Sequence, residues 1–184
     1  MLHMLYAREA QRGVENGVAF VGQSGGLLGH FQRATDGRGI PLSYVISTGN
    51  EAGLETTDFL EFLIEDRSTR VIALYCEEIR RPQQFLAACR RARAAGKPIV
   101  MILAGRSAKS RKSAQSHTGA IGGDYAAYLA MCERYGIVNC RNLDDMMEAA
   151  LAFDGGRLPK GPRIGFVTTS GGTVDLLYDY AEAE

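Results

Sequence analysis

The sequence predicts an α/β fold in which a parallel sheet is covered by helices on both faces, giving three layers. Two observations lead to this fold class and to the predicted domain organisation. Short apolar runs alternate with longer helical segments along most of the 184 residues, as is typical of repeated βαβ units. In addition, "VAFVGQSGG" at 18–26 is similar to "IGFVTTSGG" at 164–172, so the start of a second, similar domain is predicted near the end of the chain.

The strands are predicted from apolar runs that end at a polar or glycine-containing turn. "GVAFVG" is followed by "QSGG", and "LSYVIS" is followed by Thr48-Gly49-Asn50. The runs are apolar nearly throughout, which indicates strands buried on both faces. The predicted strands are 17–22, 42–47, 70–76, 97–103 and the short run "IVNC" from 137.

The helices are predicted from the segments between these runs and from their end signals. Thr56 or Thr57 is a candidate N-cap, and Asp124 is another. Pro82 at the start of one helix and Gly96 at its end show the usual asymmetry. The predicted helices run from "QSGG" to Ala34, over 56–66, over 82–96, over 124–136 and over 142–153.

These elements divide the chain into four parts. Residues 1–16 form an N-terminal segment, and 17–153 form the main domain. The Gly- and Pro-rich stretch "DGGRLPKGPR" at 154–163 is typical of a linker. Residues 164–184 then supply the first strand and helix of the second domain.

Composition restricts the class of protein. Lys and Arg total 21, as do Asp and Glu, so the formal net charge is zero, which argues against nucleic-acid binding through bulk charge. We expect no membrane span, no signal peptide and no metal site. The four cysteines form no CxxC pair, which favours free thiols in a reducing cytoplasm.

Two motifs follow strands and are therefore expected at the carboxyl edge of the sheet, where ligands bind. Ser24, Gly25 and Gly26 open a helix, whose backbone N–H groups suit a phosphate. The alternative is a tight turn without a ligand, since both GxGxxG and a P-loop lysine are lacking. Glu77 and Glu78 follow the third strand, and only one is expected to point into the crevice. Alternatively, both are solvated.

His117 lies in "SAQSHTGAIGG", among small and hydroxyl residues, after the basic run "RSAKSRK" at 106–112. A structural histidine and a solvated basic loop are the alternatives. Convergence with Ser24 and Glu77 favours a phosphate site in which a neutral imidazole nitrogen attacks phosphorus. A carboxylate on the other ring nitrogen would fix the tautomer.

The order of "VAFVGQSGGLLG", "STGNEA", "RVIALYCEEI", "GKPIVMILAGRS" and "SHTGAIGG" resembles the nucleotide-diphosphate-forming acyl-CoA synthetases. It is more distantly similar to the alpha subunit of succinyl-CoA synthetase. The resemblance implies a flavodoxin-like domain in which His117 is transiently phosphorylated and Glu77 assists it. It further implies phosphate-binding residues in three motifs: Ser24, Gly25, Gly26, Ser116, Gly119, Ser170, Gly171 and Gly172.

The sequence departs from the family pattern at three positions. Gly22 stands where the family often has serine, Glu51 where it often has lysine, and Glu78 where it usually has glycine. These differences affect phosphate and acyl recognition rather than the histidine.

The implied reaction makes an acyl-CoA, ADP and phosphate from a carboxylic acid, coenzyme A and ATP, with Mg on the nucleotide. The resemblance implies that coenzyme A and ATP bind to a CoA-binding domain and an ATP-grasp domain or subunit outside this chain. The chain alone is therefore expected to bind neither and to be inactive, and a homo-oligomer is expected. The alternatives are a regulatory module of a protein acetyltransferase, or a non-catalytic oligomerisation or ligand-binding module.

Overall fold

The computed structural model describes residues 15–107, 109–110, 125–155, 161, 163 and 165–183, and the backbone of residues 7–9. Its six strands form one sheet. All five strands predicted in the main domain are present, with ends that differ by two residues or fewer. The strands are β1 Ala7–Glu9, β2 Gly17–Gly22, β3 Leu42–Ser47, β4 Thr69–Cys76, β5 Ile99–Leu103 and β6 Ile137–Asn139.

The strand order is β1-β3-β2-β4-β5-β6. Strands β2 to β6 are parallel to one another, whereas β1 pairs antiparallel with β3, with Ala7 opposite Ile46. The order of the five parallel strands is that of flavodoxin-like folds. The sequence analysis assigned no element to residues 1–16, because three residues without an apolar run give no strand signal. The antiparallel edge strand is therefore an addition to the prediction.

The helices follow the predicted alternation. They are α1 Gly25–Arg38, α2 Thr56–Glu65, α3 Pro82–Ala94, α4 Tyr125–Tyr135, α5 Leu143–Asp154 and α6 Gly171–Ala183. Helix α1 continues one turn beyond Ala34, where its apolar pattern ends. It is closed by Gly39, whose φ of 66° is the left-handed conformation of a helix C-terminal glycine.

Alternate residues of β2 belong to separate apolar clusters, one on each face of the sheet. Ala19 and Val21 pack with buried residues of α2, α3 and α4. Val18 and Phe20 pack with buried residues of α1 and α5, and Phe20 stacks on Phe31 of α1 with the ring centroids 3.9 Å apart. The period of two along the strand thus produces the predicted three layers.

The start of α2 differs from the sequence prediction. The N-cap is Glu55 rather than Thr56 or Thr57, which are buried first-turn residues. Asp58 accepts a hydrogen bond from Glu55 N at 2.8 Å, completing a reciprocal capping box. Arg81 joins both carboxylates at 2.6 Å, so an ion pair from a later loop stabilises this cap. The cap predicted at Asp124 lies outside the described residues.

In the C-terminal segment, Gly171–Ala183 form helix α6, while the described residues just before it are not in a strand; the second domain stays a prediction. Residues 165–168 have no strand pairing, and Phe166, Val167 and Tyr178 are exposed. A strand needs paired neighbours to be stable, and none of the described strands of the sheet pairs with residues 165–168.

The four cysteines are free and buried, as the prediction of free thiols requires. Desolvation raises the pKa of Cys89 to about 12 and that of Cys140 to about 11. These thiols therefore behave as small apolar groups. In the part of the chain that the structure describes, no helix is long and apolar enough to cross a membrane.

Candidate functional site

The carboxyl ends of β2 and β4 lie side by side in the centre of the sheet. The chain leaves them toward opposite faces, because α1 after β2 packs on one face and α3 after β4 packs on the other. This is a topological switch point, where open α/β sheets form a crevice for ligands. Ser24 and Glu77 are both within two residues of these strand ends, so the structure brings these two predicted site regions together.

The start of α1 is open to solvent. Ser24 is its N-cap, with extended backbone and no side-chain capping hydrogen bond, and no acidic residue lies in the first turn. Gly25 and Gly26 are exposed, and a Cβ added to Gly26 would meet no atom within 4 Å. The first-turn N–H groups and the positive end of the helix dipole are thus accessible to an anion.

Glu77 and Glu78 have different surroundings although they are adjacent. The Glu78 carboxylate lies 3.7 Å from Arg80 Nε, with 30% of its side chain exposed. Glu77 is partly buried. The pKa of Tyr75 is raised mainly by desolvation and, in second place, by the negative charge of Glu77. Both residues line the same small cleft with Gln23, so the choice between them as the carboxylate nearer His117 stays a prediction.

Gln23 is a site residue that the sequence analysis did not single out. Its backbone N–H donates to Tyr75 O at 3.2 Å. Its side-chain Oε1 accepts from Glu77 N at 2.5 Å and Glu78 N at 3.0 Å, and Nε2 donates to Glu78 O at 2.8 Å. A single side chain therefore joins the end of β2 to the turn after β4. The sequence feature that could have identified Gln23 is its position as a polar residue between a buried strand and the start of a helix.

Glu51 is a second residue whose role was not predicted. Its side chain is only 2% exposed and lies 3.7 Å from Arg80 Nε. Oε1 accepts from Thr56 N at 2.8 Å and from Thr56 Oγ1 at 2.6 Å. Its φ of 53° is left-handed, which is uncommon for a residue with a side chain. Between β3 and α2, this chain thus has a buried, hydrogen-bonded carboxylate.

An open cavity of about 590 Å³ lies at the carboxyl end of β5. Its lining includes part of the basic run, Arg106, Ser107 and Ser110, together with Tyr125 of α4 and Arg141. The Arg106 guanidinium lies 5.5 Å from the centre of the Tyr125 ring, within the range of a cation–π contact. The described residues on either side of the segment 111–124 are thus at the same edge of the sheet as Ser24.

His117, Ser116 and Gly119 lie outside the described residues. Ser170, Gly171 and Gly172 are described and exposed at the start of α6, where Ser170 N donates to Thr168 Oγ1 at 3.1 Å. Between described residues, no hydrogen bond or ion pair connects them to the Ser24 edge. In the same part of the chain, no group of three His, Cys, Asp or Glu residues is arranged to hold a metal ion.

Comparison with known protein families identifies the family of this chain. The profile of the succinyl-CoA ligase like flavodoxin domain matches residues 15–153. The chain belongs to this family. The match covers the sheet from β2 onward and ends in α5, so this flavodoxin domain includes the crevice between β2 and β4 as well as the cavity beside β5.

The relatives of this flavodoxin domain include CoA ligases. It is 41% identical to a trans-feruloyl-CoA synthase from an unidentified prokaryote, over 90% of this chain and 23% of that protein. It is 34% identical to the alpha subunit of the ADP-forming acetate–CoA ligase II of Pyrococcus furiosus, over 88% of this chain and 35% of that subunit.

A solved structure shares the fold. The dinucleotide-forming acetyl-coenzyme A synthetase 1 of Ca. Korarchaeum cryptofilum, in complex with phosphate and ADP, matches with a TM-score of 0.81 and 32% identity. The match covers 92% of this chain and 38% of that chain. The present chain thus spans between about a quarter and two fifths of the length of these relatives.

Proposed function

We propose that this flavodoxin domain bears the transiently phosphorylated histidine, His117, of an ADP-forming acyl-CoA synthetase. The observation that supports this most directly is the crevice at the switch point, where the open start of α1 and Glu77 meet. The names of the relatives, an acetate–CoA ligase and a trans-feruloyl-CoA synthase, support the reaction class.

In the proposed reaction the imidazole of His117 takes the terminal phosphoryl group of ATP and releases ADP. It then passes this group to a carboxylate oxygen of the acid, which gives an acyl phosphate and restores the imidazole. Reaction of the acyl phosphate with coenzyme A yields acyl-CoA and phosphate. Each transfer moves one phosphoryl or acyl group, and the histidine is unchanged at the end.

The residues of this chain have separate roles in the proposal. The N–H groups at Ser24, Gly25 and Gly26 hold phosphoryl oxygens, because the helix start offers donors and partial positive charge. Glu77 accepts a hydrogen bond from the second imidazole nitrogen and stabilises the positive charge on the ring. Ser116 and Gly119 beside His117, and Ser170, Gly171 and Gly172 at the start of α6, are proposed as further phosphate contacts.

The remaining components are proposed to lie in other parts of the protein. A CoA-binding domain and an ATP-grasp domain or subunit would supply coenzyme A and ATP with Mg, and the present chain would supply the histidine. The same proposal assigns the protein to the cytoplasm, where four free thiols stay reduced. A homo-oligomer stays a prediction.

The test is ligase activity of the complete protein. We expect His117→Ala to abolish acyl-CoA formation from ATP, coenzyme A and a carboxylic acid. His30→Ala is the matched control, because His30 is exposed on α1 and contacts Arg33 of the same helix. Full activity in His117→Ala would reject the proposal.

A further inference from the structure

The turn after β4 lacks strand neighbours on the side of β2. The pairing of β2 with β4 ends at Gly22 and Tyr75, so the N–H groups of Glu77 and Glu78 lie beyond the ladder. Buried or half-buried backbone groups require partners. Here both N–H groups donate to the side-chain Oε1 of Gln23, which takes the place of a backbone carbonyl.

The Gln23 amide has one orientation that satisfies all of its contacts. Oε1 faces two N–H donors, and Nε2 faces the carbonyl of Glu78 at 2.8 Å. Exchanging oxygen and nitrogen would oppose donors to donors and an acceptor to an acceptor. The three hydrogen bonds thus determine the side-chain conformation as well as the position of the turn.

We call Gln23 and its three side-chain hydrogen bonds to Glu77 and Glu78 the Gln23 clamp. The surrounding residues leave the Gln23 clamp little room to move. Gln23 is 9% exposed, and the cleft it lines with Glu51, Glu78 and Arg80 has about 10 Å³ of space. That is roughly the space of one water molecule. The side chains that line this cleft are thus closely packed around Gln23.

Gln23 also precedes Ser24, the N-cap of α1. We propose that Gln23 is a positioning residue, which holds the backbone of Glu77 at a fixed place relative to the phosphate-binding start of α1. This inference rests on the proposed function of His117 and Glu77. It adds that the catalytic geometry depends on a side chain that acts through the position of Glu77.

The first test replaces Gln23 by methionine, which has a similar length and makes none of the three hydrogen bonds. In the complete protein, we expect Gln23→Met to slow formation of phosphohistidine from ATP by roughly 10- to 100-fold, because small displacements of a catalytic group have effects of this size. The matched control is Gln84→Met, since Gln84 is exposed in the first turn of α3. An unchanged rate in Gln23→Met would overturn the inference.

A conservative variant and a double-mutant cycle separate positioning from general damage. Gln23→Glu keeps an acceptor for both N–H groups and loses the donor to Glu78 O, so we expect an intermediate rate. In a Glu77→Gln background, Gln23→Met should have little further effect, because its action passes through Glu77. The same fold-loss in both backgrounds would overturn the inference.

Amide hydrogen exchange provides a readout that does not depend on activity. We expect the N–H groups of Glu77 and Glu78 to exchange faster in Gln23→Met and to be unchanged in Gln84→Met. Unaltered exchange in Gln23→Met would overturn the inference whatever the activity. Absence of phosphohistidine from the unmodified protein would instead overturn the proposed function, while the exchange data would still report whether Gln23 holds the turn.

Discussion

At the residue scale, some side chains have an environment in the fold that differs from the one their local sequence suggests. Glu51 is an example, because an acid in a polar loop is expected to be solvated, whereas here it is buried against Thr56 and Arg80. That environment depends on a residue 29 positions further along the chain, which local sequence patterns do not indicate. The Gln23 clamp was missed for the same reason, since its partners lie in the turn after β4, more than 50 positions further along the chain.

Glu77 and Glu78 allow a direct comparison of neighbours. We predict that Glu77→Gln lowers the turnover of the complete ligase by roughly 100-fold, because loss of the carboxylate leaves the imidazole tautomer and charge unsupported. Glu78→Gln should change turnover by less, since the carboxylate of Glu78 is engaged with Arg80. Steady-state kinetics of the two variants provide the measurement. A larger loss in Glu78→Gln would reverse the assignment.

The buried thiols predict a pH dependence of stability. Burial raises the pKa of Cys89 from 9.0 to about 12. Between these values the unfolded chain loses the thiol proton while the folded chain keeps it. The free energy of unfolding should therefore fall as pH rises from about 9 toward 12, by up to about 1.4 kcal/mol per pH unit for one thiol.

The measurement compares denaturant unfolding of the unmodified chain and Cys89→Ala across this range. The variant should lose stability with pH less steeply, because one titrating thiol is gone. Equal slopes would contradict the predicted ionisation behaviour of Cys89, whatever the difference in stability at neutral pH.

At the scale of elements, apolar runs and their terminating turns were sufficient to place the five parallel strands and the helices between them. Element ends were harder to predict. The cap of α2 depends on Arg81, and the last turn of α1 has no apolar pattern. The strand predicted from residue 164 lacks pairing at 165–168, since an apolar run becomes a strand only where a neighbour is available.

Because the start of α1 is open, an acidic side chain introduced there is predicted to have opposite effects on helix stability and on phosphoryl transfer. Gly26→Asp should stabilise the helix by about 0.3–1 kcal/mol, since a negative charge is favourable at an N-terminus. The same charge should repel phosphoryl oxygens and slow phosphohistidine formation.

Gly37→Asp is the matched control for Gly26→Asp. A Cβ at Gly37 also meets no atom within 4 Å, but Gly37 lies in the last turn of α1, away from the crevice. Thermal unfolding and single-turnover phosphorylation measure the two effects. If transfer slows equally in both variants, the start of α1 is not the phosphate site.

At the scale of the whole molecule, the proposed function makes the chain one part of a larger catalytic assembly. It spans between about a quarter and two fifths of its relatives. We predict that the purified 184-residue chain makes no acyl-CoA from ATP, coenzyme A and a carboxylic acid. Addition of the proposed CoA-binding and ATP-grasp partners should restore activity. Turnover by the chain alone, measured as formation of acyl-CoA, would contradict the proposed division of roles between the chain and its partners.

The most direct measurement of the central claim is the chemical identity of the phosphorylated residue. The complete protein is incubated with radiolabelled ATP, or with acyl phosphate, and digested under alkaline conditions. We predict acid-labile phosphate on the peptide that contains "SHTGAIGG", and its loss in His117→Ala. Phosphate that survives acid on the neighbouring serines, or label that persists in His117→Ala, would contradict it.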